Sequence, residues 1–355
     1  MPLAEVENAI ADALDSAATA VGPIAEPSAE LLAALGALAR GGKRLRAQLL
    51  LSAHDAYGGA HPAAAHHIAA AIELFQTAAL IHDDILDQAH TRRGAATIHR
   101  RLARVHHEHG WQGDAEHFGV SAAILAGDIA LMAAHVALSR GAAQLSPASA
   151  AQATELFADM SILCTAGQYA DMRLAAQPVD ALTEQEAAIV AMMRSKTASY
   201  SAEFPLALGA ACSDAGEEGI AAMKAVGVPL GLAFQLRDDV LGLVGEPEVT
   251  GKPAGDDIRE GKRTLIMVHA WRKADAAERE AMRQAFSMPD ADAATVAAAV
   301  AAVESTGAIA EVEELIGRYA AEARAALHTA AASLSDDAAL TQLHALLDAT
   351  TQRSS

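Results

Sequence analysis

The chain of 355 residues is poor in almost everything that a sheet or a disulfide scaffold needs. Aromatic residues make up 3% of it. Strands draw on aromatic and β-branched side chains, so this scarcity argues against a sheet-based domain. There are two cysteines, Cys164 and Cys212, both in apolar stretches, and they read as buried small hydrophobes of a reducing compartment. Basic residues are outnumbered 26 to 45 by acidic ones, giving a net charge of −19. That excess argues against nucleic acid and anionic membrane surfaces as main partners. The first residues lack the basic start of a secretory signal. No run of about 18 residues has the bulky uncharged content of a membrane span; 120–137 comes nearest, yet it is alanine-rich and carries Asp128 and His135. We therefore expect no stable membrane insertion and a cytoplasmic location.

What the chain has instead is small apolar residues, 52% hydrophobic overall and rich in alanine. Alanine and leucine are strong helix formers, so the expected class is all-α, a single large helical bundle. Prolines and glycine pairs divide the chain into runs with apolar residues at three- and four-residue spacing. No repeat or low-complexity linker separates one half from the other. We expect a single domain over 1–355, a motif-bearing core at about 30–275, peripheral helices after about 270 and a frayed tail at 352–355.

The run 63–87 reads as one helix ending in His82-Asp83-Asp84-Ile85-Leu86-Asp87. Asp83 and Asp87 share a face one turn apart, about 5.4 Å along the axis. Like charges at that spacing, at the carboxyl end of a helix, are doubly unfavourable unless a cation joins them. Two hard carboxylates there suit Mg²⁺, which completes its shell with water and phosphate oxygens. A solvated acidic patch is the plainer alternative. A second pair, Asp238-Asp239, follows Phe234-Gln235-Leu236-Arg237 at the end of an apolar helix expected to begin near Val228. The two pairs could face each other across a bundle and hold metal.

Cations gather against the acidic background. Arg40-Gly41-Gly42-Lys43-Arg44-Leu45-Arg46 opens a helix with glycines, a ready anion site. Arg92-Arg93-Gly94 follows the first acidic motif, and the loop from Thr250 to Thr264 brings Lys252 and Lys262 beside the second. Blocks of carboxylate and cation suit a polyanion bound partly through metal and partly directly. His106-His107-Glu108-His109 lacks the spacing of a zinc site and reads as a polar surface loop.

These blocks resemble those of the trans-isoprenyl diphosphate synthase (polyprenyl synthetase) family, most closely its geranylgeranyl diphosphate synthases. The run 82–87 with Arg92-Arg93-Gly94 is similar to that family's first aspartate-rich motif, and 234–239 to its second. Gly42–Arg46, Gly167-Gln168 with Asp171, Lys196-Thr197 and the 251–264 loop match its other blocks in order. Two departures stand out: Ala47 where the family often has proline, and Gly242 where it has a third aspartate.

The resemblance implies a prenyltransferase that condenses isopentenyl diphosphate with an allylic diphosphate, using about three Mg²⁺ per active site. It implies catalytic roles for Asp83, Asp84, Asp87, Asp238, Asp239 and Lys196. The metal ligands would be Asp83, Asp87 and Asp238, with Asp84, Asp171 and Asp239 as further ligands or supports. Isopentenyl diphosphate would meet Lys43, Arg46, Gln76 and Arg93. The allylic diphosphate would meet Arg92, Lys196, Thr197, Gln235, Lys252 and Lys262. A homodimer is implied as well. A class I terpene cyclase shares the aspartate motif but needs no second diphosphate site, so Lys43, Arg46 and Arg93 argue against it. A non-catalytic partner subunit would be expected to lack carboxylates of the first motif.

Product length is expected to follow from the helix before Asp83. Phe75 and Ala79 lie on the face of Asp83 at four-residue spacing. Ala79, with its neighbour Ala78, is too small to stop a growing chain, whereas Phe75 is the first bulky side chain, roughly 12 Å back. That pattern points to geranylgeranyl diphosphate, with farnesyl or longer products as alternatives.

Overall fold

The structure, a computed structural model, describes residues 3–245, 255–288 and 290–351. Lys252 lies outside the described residues, as does the tail 352–355. The fold is all-α. Among the described residues the only strand pairing is a two-residue ribbon, Thr91–Arg92 with Ala95–Ala96. The chain divides into two compact units, Met1–Phe157 with Leu208–Gly216, and Ala158–Ala207 with Glu217–Ser355.

The first unit contains α1 (Leu3–Ala20), α2 (Ala29–Ala39), α3 (Leu45–Ala56), α4 (Pro62–Leu86), α5 (Ile98–Glu108) and α6 (Ala115–Ala142), and α7 (Pro147–Ala175) begins in it. Helix α4 starts with Pro62 in its first turn, where a missing N–H costs nothing. It packs on α6 through small residues. A Cβ on Gly141 would lie 2.6 Å from Ile68 and 2.9 Å from the Ala64 carbonyl, and one on Gly127 would meet the His82 ring at 2.1 Å. Ala34, Leu35, Ala78, Ile81, Ile98, Leu102, Ala123, Ala126 and Ala130 form one dry core among α2, α4, α5 and α6. Each fully buried leucine or isoleucine contributes about 1.5–3 kcal/mol.

Then follow α8 (Glu186–Met193) and a π-helical segment (Arg194–Glu203) in the second unit, α9 (Phe204–Cys212), most of which belongs to the first, and, in the second unit but for Gly216, α10 (Gly216–Val244), α11 (Asp256–Arg259), α12 (Leu265–Lys273), α13 (Ala276–Ala285), α14 (Ala293–Ser305), α15 (Ala308–Ala330) and α16 (Asp337–Thr351). Two expectations change here. Helix α10 begins at Gly216 and runs through Pro229. A mid-helix proline costs about 3 kcal/mol, but packing overrides it, since Pro229 is buried and flanked by close contacts at Gly227 and Gly231. The helices after residue 270 are not peripheral either. Trp271, Met282, Val296, Val303 and Val312 share one core with Leu232 and Leu236 of α10.

Among the described residues three helices, α4, α6 and α10, are long and apolar enough by length and composition to cross a membrane. Most of the apolar window of α4 and of α10 is buried within the protein, but less than half of that of α6.

Candidate active site

Helix α4 stops at the first acidic motif by a local device. The Ala89 N–H donates to the Asp84 carbonyl at 2.9 Å and the Gln88 N–H to the Ile85 carbonyl at 3.2 Å, while Gln88 sits at φ +53°. This is a Schellman ending with glutamine where glycine is usual. A left-handed side-chain residue costs about 1–2 kcal/mol, a strain tolerated next to the three aspartates. Asp83 is partly exposed, Asp84 is buried and Asp87 is exposed.

The ribbon after it turns through Arg93 and Gly94, both at positive φ, a two-residue turn that fits the twist of a hairpin. Arg92 is thereby aimed back at the helix end. Its Nε and Nη2 donate to Asp84 at 2.8 and 2.5 Å, and Nη2 lies 3.7 Å from Asp83. Burial alone would lower the Arg92 guanidinium, but the bonds and charge of Asp84, with Asp83 and Asp87 beyond, hold it above its ordinary value.

Arg93 leans against the glycine loop. A Cβ on Gly42, at φ +93°, would lie 3.2 Å from Arg93 Nη2. Lys43 is exposed and Arg46 buried on the same loop and the first turn of α3. Arg44 plays a different part. It is buried, donates to Glu7 at 2.7 Å and to Glu73 at 3.3 Å, and bonds the Ala39 carbonyl. Glu73 of α4 also accepts the Ala47 N–H at 3.1 Å. One buried carboxylate thus fixes the start of α3. Gln76, partly exposed, follows Glu73 by three residues along α4.

In the second unit, Asp238 is partly exposed on α10 and Asp239 is buried. Asp239 accepts from Gln235 Nε2 at 2.7 Å and from Lys262 Nζ at 2.9 Å, and Lys262 also meets Asp257 at 3.3 Å. Burial would lower the Lys262 ammonium, yet the two carboxylates raise it well above the lysine range. Arg237 points elsewhere, gripping Glu313 of α15 with both terminal nitrogens at 2.5 and 2.8 Å.

Lys196 and Thr197 sit in the π-helical segment, where a widened turn often marks a functional position. Lys196 Nζ bonds Asp171 of α7 at 2.5 Å, and Thr197 is buried. Three glycines bring this segment close: a Cβ on Gly167 would be 2.4 Å from the Lys196 nitrogen, on Gly231 2.5 Å from Ala198 Cα, and on Gly227 2.4 Å from Glu203 Cα.

The residues tied to chain length separate. Ala78 is fully buried in the core among α2, α4, α5 and α6, whereas Ala79 is partly exposed on another face. Phe75 stands edge-on to Phe157 of α7 at 6.1 Å, and Phe157 in turn to His135 of α6 at 5.9 Å.

Sequence reasoning missed Glu73 and Asp257. An acid between Ile72 and Leu74 in an apolar helix was a usable signal for the first. Nothing local marked the second, one of several acids in a charged loop. The 106–109 run, expected as a surface loop, instead ends helix α5, because His106 is buried and packs against Trp111 and Phe118 at ring distances of 5.9 and 5.3 Å.

Among the described residues no three acidic, imidazole or thiol groups converge into a closed metal cage. Each acidic helix end instead offers one or two hard carboxylates beside a cation. That donor set fits Mg²⁺, which is held by few protein ligands and leaves positions to water and phosphate.

An all-α protein with two aspartate-rich helix ends, each with its own cation, has the make-up of an isoprenyl diphosphate synthase, a trans-prenyltransferase. The comparisons agree. The polyprenyl synthetase family model matches residues 28–303. A geranylgeranyl diphosphate synthase of Sulfolobus acidocaldarius is 34% identical over 229 residues, 64% of this chain and 62% of that one, so the match spans under two thirds of that relative. A geranylfarnesyl diphosphate synthase of Aeropyrum pernix is 36% identical over 249 residues, 69% of this chain and 71% of that one. The crystal structure of a geranylgeranyl pyrophosphate synthase from Corynebacterium glutamicum, complexed with isoprenyl diphosphate and magnesium, has a TM-score of 0.88 at 34% identity, covering 98% of this chain and 97% of that one. The chain belongs to the polyprenyl synthetase family.

Proposed function

We propose that this protein condenses isopentenyl diphosphate with an allylic diphosphate in the presence of Mg²⁺, about three ions per active site, and that its product is geranylgeranyl diphosphate. The observation that carries the reading is the pairing of acid with cation: Asp84 with Arg92, Asp171 with Lys196, Asp239 with Lys262. A metal–diphosphate is itself a cation and a polyanion, and would engage both members of each pair.

Asp83, Asp87 and Asp238 would hold the metal, which when bound neutralises charge on the departing diphosphate. Arg92, Lys196 and Lys262, with Thr197 and Gln235, grip the allylic diphosphate; Lys252 joins them on sequence grounds alone. Lys43, Arg46, Gln76 and Arg93 seat isopentenyl diphosphate. The apolar face of α4 from Ala79 back to Phe75 keeps water from a reactive carbocation. Relatives at similar identity make products of different length, so the choice of product rests on Ala79 leaving room and on Phe75 being backed by Phe157.

A homodimer is part of the proposal. Its support is the exposed apolar set Ile124, Leu125 and Met132 on α6; light scattering that gives a stable monomer would reject it. A cytoplasmic location is part of the proposal too, supported by the burial of Cys164 and Cys212 among apolar residues.

The test is chromatography of products from labelled isopentenyl diphosphate with dimethylallyl, geranyl and farnesyl diphosphate in turn. Extension of each primer to one common product is expected. Consumption of farnesyl diphosphate without isopentenyl diphosphate would favour a cyclase instead.

A further inference from the structure

Arg263 is the bulkiest fully buried side chain among the described residues, 2% exposed. It carries a charge, yet burial pushes its guanidinium below the ordinary range with no carboxylate to oppose the shift. Its Nε and Nη1 have no hydrogen-bond partner among the described residues. The ring of Phe286, just past α13, lies 4.7 Å from the guanidinium carbon. A buried charge without an acid is heavily penalised, and an aliphatic side chain of similar volume would fill this place more favourably. What the aliphatic chain could not do is donate a hydrogen bond.

The bonds that Arg263 makes go to one place. Nη2 donates to the Ala175 carbonyl at 3.3 Å and to the Gln177 carbonyl. Both belong to the carboxyl end of α7, where carbonyls lack helical partners and a cation is favoured. Asp171, which pairs with Lys196, stands one turn earlier on the same helix. Gln177 extends the connection. Its Oε1 accepts from Gln185 Nε2 at 2.9 Å, and the Gln185 carbonyl accepts the Ile189 N–H of α8 at 2.8 Å. Helix α8 runs directly into the π-helical segment that carries Lys196.

On the other side is Lys262, the immediate neighbour in the chain, whose Nζ reaches Asp239 of α10 at 2.9 Å. Thr264, next after Arg263, caps α12 by accepting the Met267 N–H at 3.3 Å. Two successive side chains therefore anchor on two different helices, Lys262 on α10 and Arg263 on α7. One peptide bond joins them, so a shift of the Arg263 anchor displaces the Lys262 ammonium.

We propose that Arg263 is a positioning residue for the allylic diphosphate: out of reach of substrate itself, it fixes Lys262 and the Asp171–Lys196 pair through the end of α7. The role rests on the reading that Lys196 and Lys262 grip that diphosphate.

Arg263→Met keeps the bulk and removes the charge and both bonds. With geranyl diphosphate and isopentenyl diphosphate varied in turn, the KM for geranyl diphosphate should rise about tenfold, the scale of one lost hydrogen bond to a charged group. The KM for isopentenyl diphosphate should stay within about twofold of wild type. A residue serving stability alone would lower the melting temperature and leave the two KM values in their wild-type ratio. Arg263→Lys keeps a cation on a shorter stem and should show the same selective rise at about threefold. Lys262→Met is the reference, and should raise the KM for geranyl diphosphate directly.

A folded Arg263→Met protein with a wild-type ratio of the two KM values would overturn the role, while a selective rise in Lys262→Met would leave the grip itself standing. Should the methionine protein not fold, a lysine protein with both KM values at wild type overturns it instead. A Lys262→Met protein with an unchanged KM for geranyl diphosphate would remove the reading beneath, and the role of Arg263 with it.

Discussion

Gly167 of α7 and Lys196 of the π-helical segment meet through bare backbone: a Cβ on the glycine would stand 2.4 Å from the lysine nitrogen. That closeness lets Lys196 Nζ reach Asp171, one turn along α7, at 2.5 Å. Gly167→Ala should push the segment outward and carry Lys196 with it. A misplacement of about 1 Å can cost on the order of a hundredfold in rate. We expect turnover to fall by that order and the melting temperature to drop. Gly317, mid-helix with nothing within 4 Å of its Cβ position, is the control. Gly317→Ala should stabilise by up to about 1 kcal/mol and leave turnover alone.

The adjacent aspartates of the first motif should separate in kind. Asp83 is partly exposed, and Asp83→Ala removes a like charge near Asp84 and Asp87. Turnover is expected to fall at least about a hundredfold, with melting unchanged or slightly raised. Asp84 is buried and holds Arg92 by two nitrogens. Asp84→Ala strands that cation and should cost about 3 kcal/mol of stability in addition to activity. Thermal melts without Mg²⁺ distinguish them; equal melting of both variants would contradict the division.

Glu73 is a structural acid with a kinetic consequence. It joins Arg44 and the Ala47 N–H, and so sets the first turn of α3, where Arg46 stands. Glu73→Ala should destabilise by about 3–5 kcal/mol, since a buried arginine loses a partner. The milder Glu73→Gln should raise KM for isopentenyl diphosphate several-fold and leave that for the allylic substrate near wild type. Steady-state kinetics with each substrate varied in turn will show it, and equal effects on both would count against it.

Product length should respond to one face of α4 and not to the next. Ala79→Phe is expected to stop growth at farnesyl diphosphate, and Phe75→Ala to lengthen the product. Phe157→Ala, which removes the ring behind Phe75, should lengthen it to a smaller degree. Ala78→Phe should leave chain length unchanged and destabilise by about 1–3 kcal/mol or more, because Ala78 is fully buried in the core. Product chromatography beside thermal melts would decide; lengthening by neither Phe variant places the floor elsewhere.

Acid should weaken the first unit through His54. Its ring is buried, with Nδ1 3.0 Å from Asp55 and Nε2 accepting the His61 N–H at 3.3 Å. Burial lowers its pKa below the ordinary 6.5, against a smaller raising effect from Asp55. In the unfolded chain the ring takes up a proton near 6.5, while the folded chain resists it. The stability it contributes is therefore present above about 6.5 and is lost as pH falls through the folded value. Urea midpoints should decline below about pH 6.5 in wild type, and less steeply in His54→Gln.

Sequence alone determined what depends on near neighbours. Alanine and leucine at helical spacing made the chain helical, and four-residue spacing put Asp83 and Asp87 at one helix end, because those relations lie within a turn or two of the same segment. The cations that gather near each motif were legible for the same reason. Which cation meets which acid was not. Arg92 turns to Asp84 because a positive-φ turn at Arg93 and Gly94 sends the ribbon back, and Arg44 turns away to Glu7 and Glu73 although it stands between Lys43 and Arg46. Only packing decided that α10 runs through Pro229, that Ala78 and Ala79 face different surroundings, and that Asp257 lies in the space beside Gly242. Each of these turns on a close approach between distant segments, and no local pattern encodes which backbone will come within 3 Å of a missing side chain.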